Sequence, residues 1–227
     1  SASFRIDASM DIEVISVVSL GGTGQISLIG TGIAQELWGN MGANYLDGKG
    51  GNDTIYGIGG DDIFAFTTAL GSNNVDRIYG FSTSGDRIQL SGDIFTAIGS
   101  GTLASSAFTT GSAATSAGHR IIYNSSNGAL LYDADGSGAG AAVQFATLDM
   151  GLAISSNSFE VTGPASTAAL KSSEDALPDW NALADAPQSL GFEVTGTSAF
   201  VFGGEDNHLH AIASVALSRE LTELPMV

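Results

Sequence analysis

The chain has 227 residues, of which 24 are acidic and only 7 are basic, so its formal net charge is −17. Phosphates would repel such a chain, which argues against nucleic acids and anionic membranes as partners and favours divalent cations. The sequence has no cysteine, which excludes disulfides, Cys-ligated zinc and thiol catalysis.

A nine-residue pattern begins weakly near the N-terminus. Residues 1–11 indicate no more than an edge strand. The nine-residue frame can be traced backward through three segments, which are 12–20, 21–29 and 30–38, and the last two keep a glycine turn and an apolar eighth place. The sixth places of the three segments hold Val17, Ile26 and Gln35 instead of an acid. We therefore expect coils that bind no ion, with a β-hairpin before the repeats as the alternative.

The pattern is complete in three consecutive nonads, GNMGANYLD, GKGGNDTIY and GIGGDDIFA, at 39–65. Their sixth places hold Asn44, Asp53 and Asp62, and their eighth places hold Leu46, Ile55 and Phe64. Glycine adopts positive φ without steric cost, so such a turn can direct carbonyl oxygens inward. Calcium prefers carbonyl and carboxylate oxygens. Each nonad therefore predicts a calcium-binding turn followed by a short strand whose eighth residue enters the core.

Two nonads make one coil, so turns 18 residues apart are expected to stack on one edge. Asn44 and Asp62 would then share an edge, and Asp53 would lie on the other. An ion between stacked turns is held by both of them. No single turn completes a site, so calcium binding and folding should be coupled.

Two D-R-I sequences follow the nonads, at Asp76 and Asp86, and indicate two strands that close the repeats. We expect Asp76 to reach the last ion and Asp86 to lie in a turn. Farther on we expect a turn or short helix at 93–98, a loop at 112–118, and strands at 119–123, 129–132, 143–148 and 159–161. Asp133 and Asp135 resemble the start of an EF-hand loop, but Gln144 replaces its final Glu, so we expect a self-capped hairpin turn.

The C-terminal segment 164–227 lies outside these patterns. A capped helix is expected from Ser172 towards Ala184, with strands at 192–194 and 199–202. His208 and His210 are expected to be surface residues, with a transition-metal site as the alternative. The chain has no zinc-protease, nucleophile-elbow, P-loop or dinucleotide motif. It also has no apolar run of about 18 residues that would span a membrane.

Residues 12–161 resemble the C-terminal RTX (haemolysin-type calcium-binding) region of Gram-negative proteins exported by type I secretion. The resemblance rests on GNMGANYLDGKGGNDTIYGIGGDDIFAF, VDRIYGFSTSGDRIQLS and HRIIYNSSNGALLYDADGSGAGAAVQFATL. Similar regions follow the catalytic domains of serralysin-type metalloproteases, some lipases and alginate epimerases, and they occur in surface-layer and adhesion proteins.

The resemblance implies a mainly β fold: a right-handed parallel β-roll closed by further strands, with a small C-terminal α+β appendage. The expected divisions are 1–90 for the roll, 91–163 for the closing region and 164–227 for the appendage. The resemblance also implies that turn places two, four and six carry Ca²⁺ ligands, the first two through carbonyls. With the outlying Asp76, the expected metal-binding residues are Asn40, Gly42, Asn44, Lys49, Gly51, Asp53, Ile58, Gly60, Asp62 and Asp76.

The expected function is a non-catalytic, extracellular calcium-binding module that folds after export by the type I secretion machinery. Segment 164–227 would then contain a secretion signal or an assembly element. One alternative is a self-assembling surface-layer, fibre or adhesin protein, whose partners are copies of itself. The other is the C-terminal part of a secreted hydrolase, whose partner is a parent catalytic domain.

Overall fold

The computed structural model describes residues 2–5, 12–17, 19–163, 198–203 and 209–210. These residues are mainly β, as the sequence predicted. The strands are β1 (Ala2–Arg5), β2 (Val14–Val17), β3 (Ile26–Ile29), β4 (Glu36–Trp38), β5 (Asn44–Asp47), β6 (Thr54–Tyr56), β7 (Ile63–Phe66), β8 (Asp76–Tyr79), β9 (Arg87–Ser91), β10 (Gly101–Thr102), β11 (Phe108–Thr110), β12 (Ile121–Asn124), β13 (Ala129–Tyr132), β14 (Val143–Thr147), β15 (Phe159–Thr162), β16 (Ser198–Gly203) and β17 (Leu209–His210). Helical structure in the described part is limited to the 3₁₀ turns Ser105–Ala107 and Ser156–Ser158.

Successive strands from β2 to β9 alternate between two sheets. Sheet 1 has the order β1-β3-β5-β7-β9-β15-β10, and sheet 2 has the order β11-β12-β13-β14-β8-β6-β4-β2-β16-β17. All neighbours from β1 to β9 are parallel. Because β2 and β3 belong to different sheets, the alternative of a hairpin before the repeats is wrong for this stretch.

The register reproduces the nine-residue pattern. Ile26 pairs with Asn44, and Glu36 pairs with Thr54. From β3 to β7 each strand therefore lies beside the strand two nonads later, as the stacking of turns 18 residues apart predicted. The predicted frame at 12–20 is wrong: Val14 pairs with Glu36, 22 residues later, and Ile15, not the exposed eighth-place Ser19, is the buried residue beside Leu37. The nonad supplies a tight glycine turn and then three residues of strand, so each turn carries the chain from one sheet to the other.

In each of the five nonads from 21 to 65, the eighth place faces the space between the sheets. Its side chains are at most 1 % exposed, and they are Leu28, Leu37, Leu46, Ile55 and Phe64. Ile78 and Ile88 extend this row in β8 and β9, and both are 0 % exposed. Burying such a side chain stabilises the fold by roughly 1.5–3 kcal/mol. The predicted core positions are thus confirmed.

The coil after the nonads is longer than the nonad coils and leads into a closing region. Thr54 pairs with Arg77, and Ile63 pairs with Arg87, so five or six residues are added to the usual spacing. The closing region continues both sheets, because β14 lies parallel to β8 and β15 lies parallel to β9. An antiparallel meander of β12, β13 and β14 completes it.

The sequence also predicted local features of the N-terminal residues and of the closing region. β1 lies at an edge of sheet 1, as expected for the N-terminal residues. Residues 93–98 form turns and not a helix. Between β13 and β14, Asp133 Oδ1 accepts a bond from Asp135 N at 3.3 Å, and Asp135 Oδ2 accepts one from Gly140 N at 2.9 Å. The self-capped hairpin turn is therefore confirmed.

The C-terminal predictions are largely outside the described residues. This applies to the helix at 172–184, the strand at 192–194 and His208. The strand predicted at 199–202 corresponds to β16, which lies parallel to β2. His210 belongs to β17. Across the described ranges, no helix combines the length and the hydropathy needed to cross a membrane.

Candidate metal centre

The side chains at the sixth places form two ladders, one on each side of the stacked coils. Ladder A consists of Gln35, Asp53 and Asp76. Asp53 Oδ1 accepts a hydrogen bond from Gln35 N at 2.7 Å, and Asp76 Oδ1 accepts one from Asp53 N at 3.0 Å. Each side chain thus caps the main chain of the coil before it, and Asp76 occupies the place that a further nonad would supply.

Ladder B repeats this geometry with Asn44, Asp62 and Asp86. Asp62 Oδ1 accepts from Asn44 N, and Asp86 Oδ1 accepts from Asp62 N, both at 2.9 Å. All six ladder residues are only 1–3 % exposed. The sequence predicted that Asn44 and Asp62 lie together and apart from Asp53, and the structure places them so.

Two kinds of turn lead into the ladders. In the amide turns, the side-chain oxygen bonds back to its own turn: Gln35 Oε1 accepts from Thr31 N at 2.7 Å, and Asn44 Oδ1 accepts from Asn40 N at 2.8 Å. Asn40 Oδ1 also accepts from Gly42 N at 2.8 Å. The predicted ligands Asn40, Gly42 and Asn44 therefore lie in a turn whose polar groups already bond one another.

The acid turns have a different backbone. Lys49 and Ile58, at the second places, have φ of +70° and +79°, and they are the non-glycine residues with positive φ among those described. Gly51 and Gly60, at the fourth places, have φ of +109° and +95°. A left-handed conformation is costly for a β-branched residue such as Ile58. The turns that end in an aspartate thus adopt a strained backbone that the amide turns avoid.

Glycine is required at the first place by the side chain at the sixth. A Cβ on Gly48 would lie 2.2 Å from Asp53 Oδ2, and one on Gly57 would lie 2.1 Å from Asp62 Oδ2. Each carboxylate is therefore folded back over the start of its own turn.

Burial changes the proton affinity of ladder A. It raises the pKa of Asp53 to about 8, and the negative charge of Asp76 adds to this effect. Burial likewise raises the pKa of Asp76 to about 7. Asp53 Oδ2 is buried and has no hydrogen-bond partner among the described residues. An anionic oxygen in that position is strongly destabilising unless a proton or a cation compensates it.

The two aspartates of ladder B also have raised pKa values, and their carboxylates are better hydrogen-bonded than that of Asp53. Burial raises the pKa of Asp62 to about 7 and also raises the pKa of Asp86. Asp86 Oδ2 accepts from Ser82 N at 2.8 Å. Asp86 therefore closes its own turn while it caps Asp62.

A charged pair lies beside ladder A. Asp47, which is 1 % exposed, accepts bonds from Lys49 N at 3.0 Å through Oδ1 and from Thr67 Oγ1 at 2.8 Å through Oδ2. Lys49 Nζ lies 2.9 Å from Asp47 Oδ2 and donates to Thr67 Oγ1 at 2.8 Å. The Lys49 carbonyl accepts a bond from the Thr68 hydroxyl. These contacts tie the turn at 48–53 to the next coil on the same side.

Sequence reasoning missed Asp47 and the ladder position of Asp86. A signal for Asp86 was available, because both D-R-I sequences begin a strand that follows the nonads. The prediction that Asp86 lies in a turn was wrong, because Asp86 follows the turn at 83–85 and caps Asp62 from ladder B. Asp47 stands at a ninth place, where the pattern requires no particular residue, so the repeat gave no sign of its burial.

The donor atoms of the acid turns suit a hard cation such as calcium, which accepts carboxylate and carbonyl oxygens together. The buried, unpartnered Asp53 Oδ2 is the observation that fits this ion best. Among the described residues, no group of three or more His, Cys, Asp or Glu side chains is arranged to hold a metal ion by itself. Any ion here would therefore need main-chain oxygens as well as the carboxylates.

Comparison with known proteins does not identify a family, because no protein-family model and no curated protein matches this chain.

Proposed function

We propose that this protein is a non-catalytic calcium-binding module of the RTX type, in which the alternating parallel strands form a right-handed β-roll. The observation that carries the proposal is the Asp53 carboxylate, which is 1 % exposed and has one oxygen without a hydrogen-bond partner in the described part of the chain. A divalent cation would compensate this charge and that of Asp76.

The backbone of the acid turns supports the same proposal. Positive φ occurs at the second and fourth places of the two turns that end in aspartate. We propose that the carbonyls of Lys49, Gly51, Ile58 and Gly60 supply main-chain ligands beside the carboxylates. The amide turns close on themselves through Gln35 and Asn44, so they have less need of an ion.

The electrostatics give a reason for calcium-dependent folding. Folding buries the carboxylates of each ladder near one another. Without a cation, these carboxylates must either take up protons or repel each other in the folded state. Calcium would remove this penalty. In a compartment with little calcium the chain would remain unfolded and fit for type I export, and it would fold outside the cell or on its surface.

The test is a calcium titration of chelator-treated protein followed by far-UV circular dichroism. We expect a cooperative gain of β signal with calcium chloride and none with magnesium chloride, since Mg²⁺ demands a tighter octahedral shell. Asp53→Asn and Asp62→Asn should each weaken the response, because an amide oxygen can still accept the ladder bond from Gln35 N or Asn44 N but carries no charge.

Glu160→Gln is the matched control, because it removes one charge from an exposed side chain in β15. Its titration should match that of the unaltered protein. If the calcium-free chain is already folded and calcium changes neither its spectrum nor its stability, the proposed function is wrong.

A further inference from the structure

The two ladders differ in how the nearby cation is paired. Ladder A has the buried Asp47 and the Lys49 ammonium beside it. At the equivalent second place next to ladder B stands Ile58, an apolar side chain that is 43 % exposed. Ladder B has Asp61 and Arg87 within electrostatic range, because, in addition to the effect of burial, the charge of Asp61 raises the pKa of Asp62 and Asp86 and that of Arg87 lowers the pKa of Asp86. The Nη1 of Arg87 nevertheless donates to the carbonyls of Gly85 and Asp86 and not to a carboxylate.

The Lys49 ammonium lies between successive coils. Its Nζ contacts Asp47 in the coil that contains its own turn and Thr67 in the next coil. The Lys49 side chain is 30 % exposed, while that of Asp47 is 2 % exposed. The ammonium thus covers a buried carboxylate on the side of the molecule where the turns of ladder A stack.

Asp47 acts on ladder A through its charge and not as part of a ligand set. Its charge contributes to the raised pKa of both Asp53 and Asp76, so it lies within electrostatic range of both. In the described residues these carboxylates do not form a three-acid metal group. Asp47 is therefore the counter-ion of Lys49, and Asp53 and Asp76 are the carboxylates of ladder A that no cation pairs.

From this arrangement we propose that Lys49 is a tethered cation that sets the calcium affinity of ladder A. The inference depends on the proposed calcium-binding function. With its ammonium in place, the three carboxylates and one ammonium leave two negative charges, which one divalent ion balances. Without it, a third uncompensated carboxylate would attract the ion more strongly, so the ammonium weakens calcium binding while it stabilises the ion-free turn.

The test is isothermal titration calorimetry of calcium chloride into the full chain, for the unaltered protein and Lys49→Met. Methionine keeps the main-chain carbonyl and a similar side-chain length but removes the charge. Two unit charges a few ångströms apart near a protein surface interact strongly enough that we expect calcium affinity to rise about tenfold. The gain should shrink as potassium chloride is raised from about 0.01 M to about 1 M, because salt screens charges.

Further variants separate charge from structure. Lys49→Arg keeps the charge, so its calcium affinity should stay within about twofold of the unaltered protein. The double variant Asp47→Asn/Lys49→Met removes both charges and should return the affinity close to the original value. Arg120→Met removes a positive charge from the closing region, where β13, β14 and β8 separate β12 from β6, and should leave the affinity unchanged.

The outcomes distinguish the inference from the proposal on which it rests. If the unaltered protein binds calcium but Lys49→Met binds it no more tightly, or if the gain does not depend on salt, Lys49 is not a tethered cation. If Lys49→Met does not fold, the other two variants still test the inference. A calcium affinity far from that of the unaltered protein, in a folded double variant and in Lys49→Arg, would contradict it equally. If the unaltered protein takes up no calcium, the proposed function itself is wrong.

Discussion

At the scale of single residues, the first and sixth places of each nonad depend on each other. The oxygen at the sixth place lies over the first-place glycine in each turn from Gly30 to Asp62. The same geometry holds whether that oxygen belongs to an amide or a carboxylate. The fold-back over the first-place glycine is therefore common to amide and acid turns, whereas the side-chain oxygens that accept bonds from the preceding coil belong to the aspartates.

Gly48→Ala tests this dependence. The new Cβ would lie 2.2 Å from Asp53 Oδ2, so the carboxylate must leave its position. We expect a loss of about 1–3 kcal/mol in the free energy of unfolding, as is typical of overpacking, and at least a tenfold loss of calcium affinity. Urea denaturation and calcium titration measure the two effects.

Gly50→Ala is the matched control in the same turn. Its Cβ would meet nothing nearer than Gly32 Cα at 3.5 Å, and Gly50 does not have positive φ. Equal losses in both variants would show that the turn tolerates no substitution at all and that the contact with Asp53 is not the cause.

Some of these residue-level features could be predicted and others could not. The sixth places and the separation of Asp53 from Asp62 follow from the spacing alone. The positive φ of Ile58 could not be predicted, because β-branched residues rarely adopt a left-handed conformation. The burial of Asp47 depends on Thr67 and Lys49, which reach it only after the coils have stacked.

At the scale of secondary-structure elements, the strands are too short to be stable alone. β4 and β6 have three residues each, so their stability comes from neighbours in the sheet and from the opposite sheet. On the outer face of sheet 2, their aromatic side chains stack. The ring centroids of Trp38 and Tyr56 are 3.8 Å apart, and those of Tyr56 and Tyr79 are 5.0 Å apart.

Tyr56→Ser should reveal what this aromatic row contributes. The substitution removes both ring contacts from the middle of the row, and we expect a loss of about 1–2 kcal/mol in the free energy of unfolding. Denaturation in excess calcium is the appropriate measurement, because it isolates the strand contacts from ion binding. Tyr56→Phe should be nearly neutral, since it retains the ring, and a large loss in Tyr56→Phe would assign the effect to the hydroxyl.

The strands of the nonads were predictable, and the neighbours of the closing strands were not. The eighth-place apolar residues indicated β5, β6 and β7 from a local period. By contrast, β15 pairs with β9 across more than sixty residues of intervening chain. No local period specifies such a contact, so the sequence indicated the existence of β14 and β15 but not their positions in the sheets.

At the scale of the whole molecule, part of the acidic charge lies where it opposes folding most. Asp53, Asp62, Asp76 and Asp86 are all buried, and the pKa of each is raised. The global stability of the chain should therefore depend on proton and calcium concentrations together.

The expected pH dependence follows from the direction of these shifts. An unfolded aspartate has a pKa near 4, while burial raises the pKa of Asp53 to about 8 and that of Asp62 to about 7. The folded state therefore keeps protons that the unfolded state has lost. With a chelator present, stability should be greatest below about pH 4 as far as these groups are concerned, and it should fall as the pH rises towards 8.

Excess calcium should remove this fall, because the ion takes the place of the protons. Thermal melts followed by circular dichroism, at several pH values with chelator and with calcium, measure both curves. The Asp53→Asn variant should show a shallower pH dependence in chelator. A melting temperature that rises with pH over this interval in chelator would contradict the expected electrostatics.

The alternation of strands between two sheets also restricts how such a chain can change its length. Adding one nonad by duplication would move every later strand to the opposite sheet and every later sixth-place side chain to the opposite ladder. Adding two nonads would leave all these assignments intact. The longer spacing before β8 and β9 shows that extra residues can instead be placed in a loop. Insertions that preserve this architecture are thus restricted to whole coils of two nonads or to loops.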